Sequence, residues 1–214
     1  MPGQGVSAAG AFRDALIAGD QVEAEEIARA ALDDGMALAD LYVDVMFPAL
    51  IEVGDRWASG DLTVADEHLA TSIVESLMAR LGRHPDRTPT RHRERVLMAG
   101  VELEGHVVGL RMLADLAEEA GFDVRFLGAS VPLDALVDLV SRLRPGIVCL
   151  SVSVATPTMS LVEAVEALAR RRELQVLVGG SGVPSALRDD PRVHYAPDVR
   201  EALDVLERLS ASDA

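Results

Sequence analysis

The sequence contains no lysine, one cysteine and few aromatic residues, and each shortage excludes a kind of chemistry. Its 20 basic residues are all arginine, so Schiff-base chemistry on a lysine is excluded. The single cysteine, Cys149, has no partner for an intrachain disulfide, which suits a reducing cytoplasm, and we expect that location. Aromatic residues make up 3% of the chain, so a core must be built from alanine, leucine and valine.

Long hydrophobic runs and net positive charge are also absent. No apolar segment is long enough to span a membrane, and no signal peptide is visible. The formal net charge of −15 argues against nucleic acid and anionic membrane surfaces as partners. The 214 residues, 49% of them hydrophobic, suffice for one large domain or two small ones with a real core.

The first part of the sequence, residues 1–83, follows a helical pattern. Apolar residues recur at helical spacing in four stretches, at residues 11–18, 22–32, 38–54 and 64–81. Pro48 should bend the third helix or lie in its first turn, and Thr63 with Asp66 forms the pattern of a capping box before the fourth. Four helices with short connections predict a four-helix bundle.

The second part, residues 95–214, alternates between short apolar stretches and amphipathic ones. A linker is predicted before it at residues 84–94, where prolines interrupt any periodicity and the arginines are interpreted as solvated charges. Strands are predicted at residues 96–101, 124–127, 147–152, 176–178 and 193–194, with helices between them. This alternation indicates an α/β domain with a parallel, doubly wound, flavodoxin-like sheet in the order 2-1-3-4-5.

In that order, the loops that follow strands 1, 3 and 4 converge at one edge of the sheet. Their candidate site residues are Glu104, Gly105, His106, Gly109, Ser151, Ser153, Gly179 and Gly180. His106 can ligate a metal through one imidazole nitrogen, while Glu104 accepts a hydrogen bond from the other. One histidine does not make a zinc site, so a metal here must arrive with its coordination mostly filled, as in a macrocycle. Taken singly, the same residues also suit an ordinary loop histidine and a glycine turn.

The spacing of these residues resembles the cobalamin-binding domain of methionine synthase, the B12-dependent mutases and the corrinoid methyl carriers. The shared pattern is Glu104-x-His106-x-x-Gly109, then 41 residues to Ser151-x-Ser153, then Gly179-Gly180. The resemblance implies that His106 is the lower axial ligand of cobalt, in place of dimethylbenzimidazole, with Glu104 as its hydrogen-bonded partner. It also implies that the displaced nucleotide tail runs past the glycine of the first motif, the two serines and the glycine pair.

The helical part resembles the light-sensing, adenosylcobalamin-binding module of the CarH photoreceptors. The shared residues are Trp57, Val64, Glu67 and His68, with nine residues between the tryptophan and the glutamate. The resemblance implies that residues 1–83 cover the upper face of cobalamin, with Trp57 packed on the adenosyl group and Glu67 and His68 in polar contact with it. A flat indole covers a large apolar ligand well. Without the cobalamin motif, Trp57 would be interpreted as a core residue of the bundle.

Ala58 departs from that family, in which a histidine follows the tryptophan and takes the upper cobalt position after illumination. A bis-histidine state is therefore not expected unless His68 substitutes. Some related modules bind a bilin beside cobalamin, and the missing histidine would leave space for biliverdin, bound noncovalently because Cys149 lies on a buried strand. The 21 residues before Val22 are too few for a helix-turn-helix domain, so direct DNA binding is not expected.

Three functions are compatible with these patterns. The first is an adenosylcobalamin photosensor that signals through a change in its homo-oligomer or through a separate partner protein. The second is a corrinoid methyl carrier of a methyltransferase system, against which the spacing between Trp57 and Glu67 speaks. The third is a cobalamin-storage or interaction module without photochemistry. In each case we expect no enzymatic turnover by this chain alone.

Overall fold

The computed structural model describes residues 8–81 and 93–211 of the chain. The chain divides into two compact units, Met1–Arg87 and Thr88–Ala214. The predicted linker lies outside the described residues except for its last two positions, Arg93 and Glu94. Within the described ranges, no helix combines the length and the hydropathy needed to cross a membrane.

The first unit is helical, as the periodicity predicts. Its elements are α1 (Ala8–Ala18), α2 (Gln21–Asp33), α3 (Leu38–Asp40), a π-helical turn (Leu41–Met46), α4 (Phe47–Ser59) and α5 (Val64–Leu81). The predicted third helix is thus α3, the π-helical turn and α4 in succession. Pro48 lies in the first turn of α4, as expected. In a regular helix its ring would collide with the carbonyl four residues earlier, and the wider π-helical turn accommodates it.

Side-chain caps fix where these helices begin. Oδ1 of Asp20 accepts hydrogen bonds from the backbone N–H groups of Val22 and Glu23, at 3.1 and 3.0 Å, and so starts α2. Before α5, the Thr63 N–H donates to the Asp66 carboxylate at 2.8 Å, and the Asp66 N–H donates to the Thr63 hydroxyl at 3.3 Å. This reciprocal pair is the capping box that the sequence predicts.

The second unit is a five-stranded parallel sheet with helices in the connections, and its strand order, β2-β1-β3-β4-β5, is the predicted one. The strands are β1 (Arg95–Gly100), β2 (Asp123–Gly128), β3 (Ile147–Ser151), β4 (Gln175–Gly179) and β5 (His194–Ala196). The helices are α6 (Val108–Glu119), α7 (Leu133–Leu143), α8 (Thr158–Leu168), α9 (Ser185–Arg188) and α10 (Val199–Ala211).

The core of the second unit explains why its strands read as continuous apolar runs. Residues 96–99 of β1 are fully buried, because helices of a doubly wound fold cover both faces of the sheet. The register aligns Gly100 of β1 with Ser151 of β3, and Ser151 with Gly179 of β4. The loops that leave these three residues therefore start side by side at the carboxyl edge, where α/β sheets bind their ligands.

Candidate functional site

The loop after β1 turns a carboxylate into the protein and an imidazole outward. Leu103 has a φ of 71°, in the left-handed region, and the Glu104 N–H donates to the Val101 carbonyl at 2.9 Å. This tight turn leaves the Glu104 side chain fully buried. His106, two residues later, has a side chain that is 63% exposed.

Hydrogen-bond donors surround the Glu104 carboxylate. Its Oε1 accepts from the His106 N–H at 2.5 Å and from the Ser153 hydroxyl at 3.2 Å. Its Oε2 accepts from the Ser153 N–H and from the Thr156 hydroxyl, the latter at 2.8 Å. A buried charge is tolerated only when it is hydrogen-bonded in this way. The loops after β1 and β3 are thereby joined through one carboxylate.

Two opposing effects set the pKa of Glu104. Burial raises it, but the hydrogen bonds from the backbone N–H groups of His106 and Ser153, and from the hydroxyls of Thr156 and Ser153, together lower it more. The pKa of Glu104 therefore lies below its usual range. The carboxylate remains ionised at neutral pH.

This carboxylate fixes the orientation of the His106 ring. The Nδ1 of His106 lies 3.2 Å from Oε1 of Glu104 and 3.3 Å from the Ser153 hydroxyl. An ionised carboxylate accepts only, so Nδ1 carries the proton in the neutral ring and the lone pair lies on Nε2. Within residues 8–81 and 93–211 no hydrogen bond is described for Nε2. The imidazole thus presents Nε2 on an exposed surface.

Three large apolar side chains are exposed on or next to the two loops that the Glu104 carboxylate joins. Leu103 is 65% exposed, Val154 beside Ser153 is 80% exposed, and Met159 in the first turn of α8 is 58% exposed. Exposed apolar groups clustered around a few polar ones are typical of ligand-binding surfaces. Such a surface suits a wide, flat and largely apolar ligand better than a small ion.

The remaining residues predicted for this edge have different surroundings. Ser151 ends β3, and its carbonyl accepts the Val101 N–H at 3.2 Å. Gly105 is exposed, and Gly109 is the second residue of α6. A Cβ at Gly180 would lie 2.2 Å from the Val152 carbonyl oxygen, so this glycine is needed for close packing against the loop after β3. Gly182, which was not predicted from the sequence, is needed for the same reason: its Cβ would lie 2.1 Å from the Ser153 carbonyl oxygen.

Thr156 and Ser130 also contribute to the site, and neither was predicted from the sequence. Thr156 is buried on the loop after β3, where a hydroxyl three residues beyond Ser153 was the available signal. Ser130, on the loop after β2, accepts the Leu103 N–H on its hydroxyl at 3.1 Å. No local pattern reveals this contact, because it joins residues 27 positions apart.

In the first unit, the predicted ligand residues belong to α4 and α5. Trp57 lies in the last turn of α4 and is 46% exposed, and Val64, also exposed, is the first residue of α5. The Glu67 carboxylate approaches Nδ1 of the exposed His68 at 2.5 Å and accepts the Thr71 hydroxyl at 3.1 Å. Trp57 is therefore not a buried core residue of the bundle, which was the alternative interpretation.

The donor set around His106 limits what can bind there. Among the described residues, no group of three or more His, Cys, Asp and Glu side chains could hold a metal ion. A single fixed imidazole on a surface with exposed apolar groups suits a metal whose equatorial positions are filled by a macrocycle. Fold and site together thus define a flavodoxin-like domain, preceded by a helical unit, that presents one exposed histidine at the carboxyl edge of its sheet.

Comparison with protein families agrees with that class. Residues 94–204 match a family model described as B12 binding domain, and residues 9–81 match a second model of the same description. The first of these matches covers more than half of the chain. The chain belongs to the B12-binding domain family.

Relatives with this organisation differ in the roles that their names describe. The HTH-type transcriptional repressor CarH of Myxococcus xanthus is 34% identical over 81% of this chain, which spans about three fifths (59%) of the repressor. A trimethylamine corrinoid protein of Methanosarcina barkeri is 26% identical over 80% of this chain and 81% of its own length. The solved monomethylamine corrinoid protein of Methanosarcina barkeri, 19% identical, shares the fold with a TM-score of 0.75, over 92% of this chain and 96% of its own.

Proposed function

We propose that this chain is an adenosylcobalamin-dependent light sensor in which His106 is the lower axial ligand of cobalt. The observation that carries the cobalamin assignment is the exposed His106 imidazole, whose Nδ1 faces a fully buried, ionised Glu104. This arrangement keeps the Nε2 lone pair available and the ring in one orientation. Bound cobalamin would supply either a light-sensitive cobalt–carbon bond or a transferable methyl group, according to its upper ligand.

Glu104 accepts the Nδ1 proton of the His106 ring and so directs Nε2 toward cobalt in this proposal. Ser153 and Thr156 hold Glu104 in turn, so the imidazole rests on a network that extends into the interior. Gly109, Ser151, Gly179 and Gly180 are proposed to lie along the nucleotide tail, with Gly105 giving the loop an open surface beside the ring. The close packing at Gly180 supports a positioning role for the glycine pair as well, because it fixes the loop that carries Ser153.

The sensor part of the proposal rests on the first unit. Trp57 and Val64 are exposed apolar residues on α4 and α5, and Glu67 and His68 form a close polar pair in the opening turns of α5. We propose that Trp57 and Val64 pack on the adenosyl group and that Glu67 and His68 make its polar contacts. The 34% identity to CarH supports this assignment over one based on fold alone.

The signal would leave the chain through a change in its own oligomer or through a separate protein. Any biliverdin bound beside cobalamin is proposed to be held noncovalently. Cys149 is fully buried, and burial raises the pKa of its thiol far above the usual range, so it is a poor nucleophile for a covalent link.

A corrinoid methyl carrier is the second candidate, and one specific observation favours it. The trimethylamine corrinoid protein of Methanosarcina barkeri is 26% identical over 80% of this chain. In this alternative Glu104 and His106 have the same role, while Trp57, Glu67 and His68 would face a methyl group and a partner methyltransferase. The two candidates therefore differ in the preferred upper ligand.

The lower-ligand assignment is tested by His106→Ala. The His106→Ala protein, reconstituted with hydroxocobalamin, should lack the absorbance of histidine-coordinated cobalt. It should also bind hydroxocobalamin more weakly than the natural chain does. His194→Ala is the matched control, because His194 lies on the edge strand β5 and bonds Gln175. An unchanged spectrum and affinity in His106→Ala would overturn the assignment.

The light-sensor function is tested by illumination. Protein loaded in the dark with adenosylcobalamin, with and without biliverdin, should change its absorbance and its elution volume in size-exclusion chromatography after light. Trp57→Ala should weaken binding of adenosylcobalamin more than that of hydroxocobalamin, whereas Ile51→Ala, an exposed apolar control on the same helix, should not. Preference for methylcobalamin, with methyl transfer to a methyltransferase and no response to light, would replace the sensor with the carrier.

A further inference from the structure

A second loop, residues 129–132 between β2 and α7, is hydrogen-bonded to the loop that carries Glu104 and His106. The Ser130 N–H donates to the Glu104 carbonyl at 2.8 Å, and its hydroxyl oxygen accepts the Leu103 N–H at 3.1 Å. The next residue, Val131, donates its N–H to the Gly100 carbonyl at 3.1 Å. Three hydrogen bonds thus join the two loops over the short stretch between the end of β1 and Glu104.

Both residues of the side-chain contact have unusual backbones. Leu103 has a φ of 71° and Ser130 a φ of 50°, in the left-handed region that residues with a Cβ rarely adopt. Each such conformation is strained and persists only when its surroundings hold it. The left-handed backbone of Leu103 makes a turn that leaves the Leu103 side chain exposed and the Glu104 side chain buried. Ser130 contacts the backbone on both sides of that turn.

From this geometry we infer that Ser130 is a positioning residue for the lower cobalt ligand, acting through Leu103 and Glu104. This inference rests on the proposed role of His106. A ligand loop that is already ordered loses less conformational entropy when its imidazole binds the metal, so coordination is tighter. Ser130 does not touch the ligand in this role. It holds the turn that buries the Glu104 carboxylate beneath the imidazole.

Three substitutions separate the hydroxyl from the backbone strain. Ser130→Ala removes the acceptor for Leu103 and keeps a Cβ in the left-handed region. Ser130→Gly removes the acceptor but relieves the strain. Ser130→Asn tolerates the left-handed region and restores a side-chain oxygen. Ser141→Ala is the control, because its hydroxyl bonds a carbonyl within α7, away from this loop.

The measurement is the pH at which the histidine leaves cobalt. The full chain, loaded with hydroxocobalamin, is titrated to acid and followed by visible absorbance. Losing one hydrogen bond should weaken histidine coordination about two- to tenfold in Ser130→Ala, which raises the midpoint by about 0.3–1 pH unit. Ser130→Gly should weaken it less, and Ser130→Asn should lie within about twofold of the natural chain. In cobalamin-free protein, hydrogen exchange of the Leu103 amide should accelerate in Ser130→Ala and Ser130→Gly only.

The possible failures are distinguishable. If His106→Ala removes the histidine spectrum but Ser130→Ala leaves the midpoint unchanged, the role of Ser130 is overturned and the proposed function stands. If Ser130→Asn behaves like Ser130→Ala, the hydroxyl acceptor is not the cause and the inference is equally overturned. If His106→Ala leaves the spectrum unchanged, the lower-ligand assignment itself fails, and the positioning role fails with it.

Discussion

Glu104→Gln is the sharpest test of the buried network, because the two side chains have nearly the same shape. Each carboxylate oxygen of Glu104 accepts one backbone N–H, Oε1 from His106 and Oε2 from Ser153. A glutamine offers one oxygen and one NH₂ group. In either orientation, therefore, one of the two backbone N–H groups faces another donor.

The magnitude follows from the bonds that are lost. A hydrogen bond to a charged group contributes about 1.5–3 kcal/mol, and a buried donor without a partner costs about 1–3 kcal/mol. The substitution removes one such bond and replaces the others with weaker neutral ones, while the neutral amide is easier to bury than a charge. We expect the second unit to lose about 2–3 kcal/mol of unfolding free energy at pH 7.

The pH dependence gives the prediction its sign. The pKa of Glu104 is lower in the folded protein than the ordinary value of 4.5, so its contribution to stability is fully present above that value. The contribution is lost as the pH falls through the folded pKa. The difference between the natural chain and Glu104→Gln should therefore be largest near neutral pH and shrink in acid.

Urea unfolding followed by circular dichroism at several pH values measures this difference. Glu102→Gln is the matched control, because Glu102 is exposed and its substitution removes the same charge two residues away. The control should change the stability by about 0.5 kcal/mol or less. Equal stabilities of Glu104→Gln and the natural chain at pH 7 would refute the hydrogen-bond reasoning, as would a difference that persists unchanged in acid.

Three further substitutions test neighbouring contacts by urea unfolding. Thr156→Val removes the 2.8 Å bond to Glu104 and should cost about 1.5–3 kcal/mol, whereas Thr156→Ser should retain most of the stability, and equal effects of the two would contradict a role for the hydroxyl. Gly182→Ala places a Cβ 2.1 Å from the Ser153 oxygen and should cost at least about 1–3 kcal/mol, whereas Gly54→Ala, with nothing within 4 Å of its Cβ, should be neutral or stabilising. Thr63→Ala removes one half of the capping box of α5 and should destabilise the first unit by about 1 kcal/mol. Thr63→Ser should be about as stable as the natural chain. Equal stabilities of Thr63→Ala and Thr63→Ser would show that this cap contributes nothing measurable.

The sequence predicted the architecture well because burial leaves a periodic trace. The strands β1 and β3 are covered on both faces, so their apolar runs are continuous. The predicted ends of these two strands differ from those in the structure by one residue or none. The edge strand β5 was predicted at residues 193–194 and lies at His194–Ala196. A strand that pairs on one side only, over three residues, leaves a weak pattern.

The π-helical turn at Leu41–Met46 was not predicted, because its apolar spacing differs little from that of an ordinary helix. Pro48 indicated a disturbance near this place but not its form. At the site, the pairing of Glu104 with His106 follows from sequence proximity, since the two residues share one short loop. Thr156 lies 52 positions from its partner Glu104, and Ser130 lies 27 positions from its partner Leu103. Only the register of the sheet brings such loops together.

The length of the Glu104 side chain accounts for the breadth of this network. One carboxylate oxygen reaches back to the His106 N–H, and the other extends to the Ser153 N–H and the Thr156 hydroxyl on the neighbouring loop. Because all of these groups donate, they lower the pKa of the carboxylate against the effect of its burial. An anion fixed in this way favours a proton on Nδ1 of His106, which keeps the Nε2 lone pair directed away from the network. The hydrogen bonds that keep Glu104 ionised therefore also orient His106 for metal binding. A substitution that loosens either loop should change both the pKa of Glu104 and the orientation of the His106 ring.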